Sequence, residues 1–132
     1  MVSVGEKTRA KLFNKHQEWN FPHFRPDEFT CKCGCGTNNI NYNLVKILED
    51  IRNYYNKPLI ITSGCRCLSH NAKVGGVRGS KHTSGKASDF YVQNVSINDL
   101  FNYCKDLKNK GIINYTYTNN TNMKGAVHID IL

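Results

Sequence analysis

Two short runs rich in β-branched and aromatic residues, LIIT (59–62) and SDFYV (88–92), flank a polar stretch, HNAKVGGVRGSKHTSGKA, that carries Gly75, Gly76, Gly79 and Gly85. Glycine at that density works against regular structure, so strand, long loop, strand is the arrangement around which the rest must fold. The flanking segments supply the other layer. From Asn43, the residues Leu44, Ile47, Leu48, Ile51, Tyr54 and Tyr55 recur at helical spacing and predict an amphipathic helix with one buried face, stopped by Asn56 and Pro58. Ser96 caps a second helix, with Asp99 three residues on and Leu100, Phe101, Cys104 and Leu107 as its apolar side; Gly111 ends it. INYTYT (113–118) and AVHIDIL (126–132) read as two final strands joined by a polar turn.

Residues 5–19 form a short charged segment of helical character ending near Trp19. The following NFPHFRPDEFTCKCGCG, broken by Pro22 and Pro26, is too irregular for a long helix. The expected fold class is α+β, a small and mostly antiparallel sheet flanked by helices. A chain of 132 residues holds one core, so the expectation is a single domain over residues 24–132 behind an N-terminal helical extension, residues 1–23.

No apolar run approaches the ~18 residues of a membrane span. The opening MVSVGEKTRAKLFNK has no apolar core of a secretory signal, which predicts cytoplasmic synthesis, with any action outside the cell requiring release or carriage in a virion. The richness in Asn, Ile, Lys and Tyr is compatible with a phage, a large virus or a low-GC bacterium. The net charge of +8 favours polyanions such as cell-wall polymers, an acidic membrane face or nucleic acid. Lysines and arginines are scattered rather than massed into a stripe, which speaks against nucleic acid.

Five of six cysteines fall in two tight groups, Cys31, Cys33 and Cys35 in CKCGCG and Cys65 and Cys67 in CRC, with Cys104 alone. Two structural readings stay open. Disulfide scaffolds usually spread their cysteines more evenly, and C-x-C is tighter than the C-x₂₋₄-C of common zinc knuckles.

The segment from Ser80 to Asp89 is the richest in chemistry. His82 sits in a flexible loop, Gly85 permits a sharp turn, and Asp89 lies in the following strand, so imidazole and carboxylate can converge. In the last strand His128 and Asp130 share a face because side chains repeat every two residues. Two imidazoles and a carboxylate make a three-ligand zinc site with an open fourth position. A carboxylate among apolar strand residues needs a partner or a metal, and spacing alone leaves both open. His16 and His23 read as ordinary loop or surface residues.

ITSGCRCLSHNAKVGGVRGSKHTSGKASDF, followed by AVHIDI, resembles the M15 zinc peptidases, and within them the compact branch of bacterial and phage murein peptidases. These group with the D-alanyl-D-alanine carboxypeptidases and, by fold, with the hedgehog signalling domain. The shared pattern is an S-G-x-R turn, an H-N pair, S-x-H-x-x-G-x-A-x-D and an H-x-D strand, standing here as Ser63 to Arg66, His70-Asn71, Ser80 to Asp89 and His128 to Asp130. FTCKCGCG and the helix before LIITSG also resemble this branch, so the likeness covers about residues 24–131.

The resemblance implies zinc held by His82, Asp89 and His128, and peptidoglycan stem or cross-link peptides containing D-amino acids as substrate. Arg66 matches the arginine that steadies a substrate carbonyl or carboxylate, its rigid fork suiting an oxyanion. A structural arginine paired with a buried acid is the competing role. Ser80 and Tyr115 are placed at the substrate, while Ser80 and His70 also support the loop, proton transfer being the alternative role for His70.

One departure matters. Many M15 enzymes carry an acidic general base a few residues before the last zinc histidine, whereas Asn122, Met123, Lys124, Gly125, Ala126 and Val127 precede His128 here. Asp130 is the nearest carboxylate, either the proton acceptor or a group that orients a ligand. Tyr115 or Tyr117 is the candidate transition-state donor. A monomeric zinc peptidase is the expectation; the alternative is a catalytically silent zinc module that recognises cell wall or a protein partner.

Overall fold

The computed structural model describes residues 19–119, 123 and 125–132. Apart from Trp19, the charged segment 5–19 lies outside the described residues, as does His16. Along the described chain run α1 (Tyr42–Tyr55), β1 (Leu59–Ser63), α2 (Leu68–Lys73), β2 (Ala87–Val92), α3 (Ile97–Asn109), β3 (Tyr115–Thr118) and β4 (Val127–Asp130), with single 3₁₀ turns at Pro26–Phe29 and Lys81–Ser84. The strands form one sheet in the order β1-β2-β4-β3, and each neighbouring pair is antiparallel. This is the α+β class expected, with a wholly antiparallel sheet.

Local chemistry sets the element ends. The Asn41 side chain accepts from the Asn43 N–H at the start of α1, and Asn56 closes that helix in the left-handed region at φ 52°. Ser96 caps α3 by accepting from the Asp99 N–H at 3.1 Å. Leu44, Val45, Ile47, Leu48 and Ile51 of α1 and Leu100, Cys104 and Leu107 of α3 join Phe90, Val92, Val127 and Ile129 of the sheet in one apolar cluster. Burying each such large side chain contributes roughly 1.5–3 kcal/mol. Because strand side chains alternate, Asp89, His128 and Asp130 are turned to the face opposite α1 and α3.

Three expectations shift. Tyr54, placed by its spacing on the buried face of α1, is 63% exposed and stacks on Tyr103 with ring centroids 4.3 Å apart. The stretch from His70 is not wholly irregular, since α2 occupies it until Lys73, ahead of the first glycine. The strand INYTYT begins at Tyr115, Ile113 being a buried core residue before it.

The segment before α1 packs onto the core through Phe21, Phe24 and Phe29. The Trp19 indole N–H donates to the Phe24 carbonyl at 2.8 Å. His23, an exposed residue, meets the carboxylate of Glu49 through Nδ1, and its backbone N–H donates to the same group. That pairing accounts for an acid on the buried side of α1.

Candidate metal centre

Register across the sheet builds the floor of the site. Asp89 of β2 stands opposite His128 of β4, and His128 stands opposite Tyr117 of β3. One step along, Asp130 pairs with Ala87 on one side and Tyr115 on the other. Three strands thus deliver a carboxylate, an imidazole and a phenol in a row.

His82 comes from outside the sheet. The Ser80 hydroxyl accepts from the His82 N–H at 3.2 Å and starts the 3₁₀ turn, and Gly85 ends it in the left-handed region at φ 70°. A Cβ at Gly85 would lie 1.9 Å from the Asn39 carbonyl oxygen, so glycine is required on both counts. The turn places His82 Nε2 at 3.2 Å from Asp89 Oδ1. His128 Nδ1 is 2.9 Å from the same oxygen. All three side chains are buried, and their ligand atoms lie within 4.8 Å of one another.

The remaining ring nitrogens are also spoken for. His82 Nδ1 is 2.7 Å from the Gly64 carbonyl, which can only accept, so that nitrogen carries the proton. The Nε2 lone pair then faces a carboxylate oxygen, an arrangement that calls for a proton or a cation between them. His128 lies between two carboxylates, with Nε2 at 2.8 Å from Asp130 Oδ2. Burial disfavours its charged form, but hydrogen bonds to Asp130 and Asp89 raise its pKa above the ordinary value. Burial works against the ionised Asp89 too, yet hydrogen bonds from His128 and His82 hold its carboxyl at about 2. An ionised acid with one imidazole nitrogen aimed at it from each side fits a divalent cation in place of the protons, with a free coordination position for chemistry.

Above this floor opens a cavity of about 500 Å³, lined by Arg66, Ser80, Lys81, Tyr115, Tyr117 and the two histidines, among others. The family model for Peptidase M15 matches residues 22–130 of the chain. The chain belongs to the Peptidase M15 family. No curated protein and no solved structure matched. M15 peptidases are metal-dependent, and in this one His82, Asp89 and His128 form a candidate metal-binding group.

In this M15 chain Arg66 stands beside the carboxylate, its Nη2 at 3.6 Å from Asp89 Oδ2. Its Nη1 donates to Asn71 Oδ1 at 3.2 Å, and the Asn71 amide in turn donates to the Val77 carbonyl at 2.9 Å. Asn71, half of the H-N pair, is therefore the residue that holds the guanidinium. His70 lies instead with Arg66 and Asp89 at a smaller cavity of about 270 Å³. Ser80 lines the larger cavity while capping the turn.

Tyr117 packs on His128 with ring centroids 4.8 Å apart. Burial, then the charge of Asp89, raises its pKa above the ordinary phenol value and keeps the hydroxyl a donor. Tyr115 is 47% exposed at the cavity edge, with Lys108 Nζ 5.2 Å from its ring centre. Asp130 also accepts from the Asn114 amide at 3.0 Å through Oδ1. Both Asp130 oxygens are therefore engaged, one by Asn114 and the other by His128.

Asn114 and the Gly64 carbonyl were not legible beforehand as site groups, since nothing local marks a strand-entry asparagine or a backbone oxygen. The cysteines divide. Cys31, Cys33, Cys35 and Cys67 form a second candidate metal-binding group, while Cys65 is buried in the core and its thiol meets Asn38 Oδ1 at 3.7 Å.

Proposed function

We propose that this M15 peptidase is a zinc enzyme that hydrolyses peptide bonds of peptidoglycan stems or cross-links containing D-amino acids. The observation that carries the reading is the buried Asp89 carboxylate met by His82 Nε2 and His128 Nδ1, two histidines that line an open cavity. Two imidazoles and one carboxylate are the donor set of a catalytic rather than a closed structural zinc site. Zinc when bound there polarises a carbonyl and makes water nucleophilic near neutral pH.

The chain's own groups do the rest. Arg66, fixed by Asn71, offers its remaining N–H groups to the negative charge that develops on the scissile carbonyl, or to a substrate carboxylate. Tyr117 donates from the sheet side of the same cavity. Tyr115 and Ser80 line the substrate's path, and Asp130 keeps the His128 ring turned toward Asp89. Arg66 and Lys81 make the wall cationic, which suits the carboxylates of stem peptides, and the net charge of +8 draws the protein to an anionic wall polymer.

The test is mass spectrometry of purified murein digested with wild type and with His82→Ala. New muropeptides from wild type alone are expected. Cleavage that persists in His82→Ala removes the site, whereas wild type that holds zinc at the His82 site without cleaving murein is a binding module instead.

A further inference from the structure

Away from the floor of the cavity, a second set of metal-ligating side chains converges from two separate segments. The thiols of Cys31, Cys33, Cys35 and Cys67 all lie within 4.8 Å of one another. Cys31 and Cys33 are 3.5 Å apart at sulfur, Cys33 and Cys67 3.7 Å, and Cys31 and Cys67 3.9 Å. A disulfide brings one pair to about 2.05 Å and leaves the others free to separate. Four sulfurs at about 2.3 Å from a tetrahedral zinc stand about 3.8 Å from each other. The three edges among Cys31, Cys33 and Cys67 scatter around that second figure, and none of them approaches a disulfide.

The backbone supports the same reading. The Cys67 N–H points at Cys31 Sγ at 3.4 Å, the His70 N–H at Cys67 Sγ at 3.4 Å, and the Thr37 N–H at Cys35 Sγ at 3.5 Å. Donors aimed at sulfur stabilise thiolate charge around a metal. The CKCGCG loop is closed by the Cys31 N–H on the Thr37 carbonyl at 2.9 Å, and Gly34 and Gly36 take left-handed conformations at φ 87° and 82°. Those two turns let three cysteines separated by single residues gather at one point.

We propose that Cys31, Cys33, Cys35 and Cys67 bind a second, structural zinc ion, independent of the His82–Asp89–His128 centre. Zinc displaces the thiol protons and forms four Zn–S bonds, with no change of oxidation state. The thiolate set selects a soft or borderline cation over magnesium or calcium. The ion ties the CKCGCG loop to Cys67, which caps α2 and directly follows Arg66. It thereby braces the backbone from which the guanidinium reaches the cavity.

Metal analysis of the full chain, purified under reducing conditions without chelator, tests the proposal. Two zinc ions per chain are expected in wild type, one in His82→Ala and one in the Cys33→Ser, Cys35→Ser double variant, whose changes fall on the two exposed thiols. Cobalt in place of zinc should give strong thiolate charge-transfer absorption in wild type and His82→Ala, absent from the double variant. Should the double variant fail to fold, alkylation of native wild type decides: zinc should protect Cys33 and Cys35, and a chelator should expose them. One zinc per chain that disappears in His82→Ala overturns the second site, as does an intact mass lower by four hydrogens, the mark of two disulfides. A metal content of one that survives in His82→Ala but not in the cysteine variant would instead keep this site and remove the other.

Discussion

Asp130 Oδ2 lies 2.8 Å from His128 Nε2, on the opposite side of the ring from the nitrogen that meets Asp89. The two-residue repeat of β4 puts acid and imidazole on one face, and the Asn114 amide fixes the acid from behind. A carboxylate so placed sets which nitrogen of His128 is free to bind metal.

Asp130→Asn, which keeps the shape and removes the charge, is therefore expected to weaken metal binding at this centre about 10–100-fold. Competition against a zinc indicator measures it. Unchanged affinity with lost turnover would mean that Asp130 handles a substrate proton rather than orienting His128.

Metal affinity at this centre should rise with pH. The raised pKa of His128 means that the ion must displace its proton up to a higher pH than at an ordinary imidazole, while Asp89 at about 2 is already ionised and releases none. Below the pKa of His128 the affinity should fall about tenfold per pH unit and level off above it. Calorimetric titrations in buffers of different ionisation enthalpy count the proton released.

In metal-stripped protein the same groups give two stability windows of opposite sign. Asp89 is depressed from 3.8 to about 2, so its contribution is present above its unfolded value and lost as pH falls through about 2. His128 is raised, so its contribution is complete below an unfolded value of about 6.5 and lost as pH rises through the folded one. Melting curves of stripped wild type should therefore fall on the alkaline side, and His128→Ala should abolish that limb.

Arg66→Lys keeps the charge but loses the planar fork held by Asn71. If the group stabilises developing charge, kcat/KM on muropeptides should drop by about 10²-fold with metal content unchanged. Asn71→Ala should give a smaller loss of the same kind. Full activity in Arg66→Lys would reduce the arginine to a structural partner of Asp89.

Gly85→Ala forces a Cβ to within 1.9 Å of the Asn39 carbonyl oxygen at a backbone φ of 70°. That carbonyl has little room to retreat, because the neighbouring Asn41 N–H is bonded to the Gly85 oxygen at 3.0 Å. A loss of more than about 1 kcal/mol is expected, together with loss of metal through displacement of His82. Thermal melting and metal content of the one variant report both.

How far the chain could be read in advance depended on how local each signal is. Apolar spacing marked α1, α3 and the strands because it is repeated within a dozen residues, and motif chemistry brought His82, Asp89, His128 and Arg66 together on paper. Tyr54 escaped its predicted face because helical spacing also admits a flank, and Tyr103 covers that flank by stacking. Asn71 stood inside the motif, yet its hold on Arg66 needed the turn back to Val77 to be seen.

What the sequence determined by itself was the inventory, namely two amphipathic helices, four short strands and a glycine-rich loop bearing a histidine seven residues before a strand acid. Only the tertiary structure decided that β4 enters between β2 and β3, aligning Asp89 with His128. It alone separated Cys65, turned into the core, from Cys67, which joins Cys31. The physical reason is that strand pairing and thiol convergence join residues tens of positions apart, where no local period carries the information. β1 ends at Ser63, so the alternation that would relate Cys65 to Cys67 no longer applies.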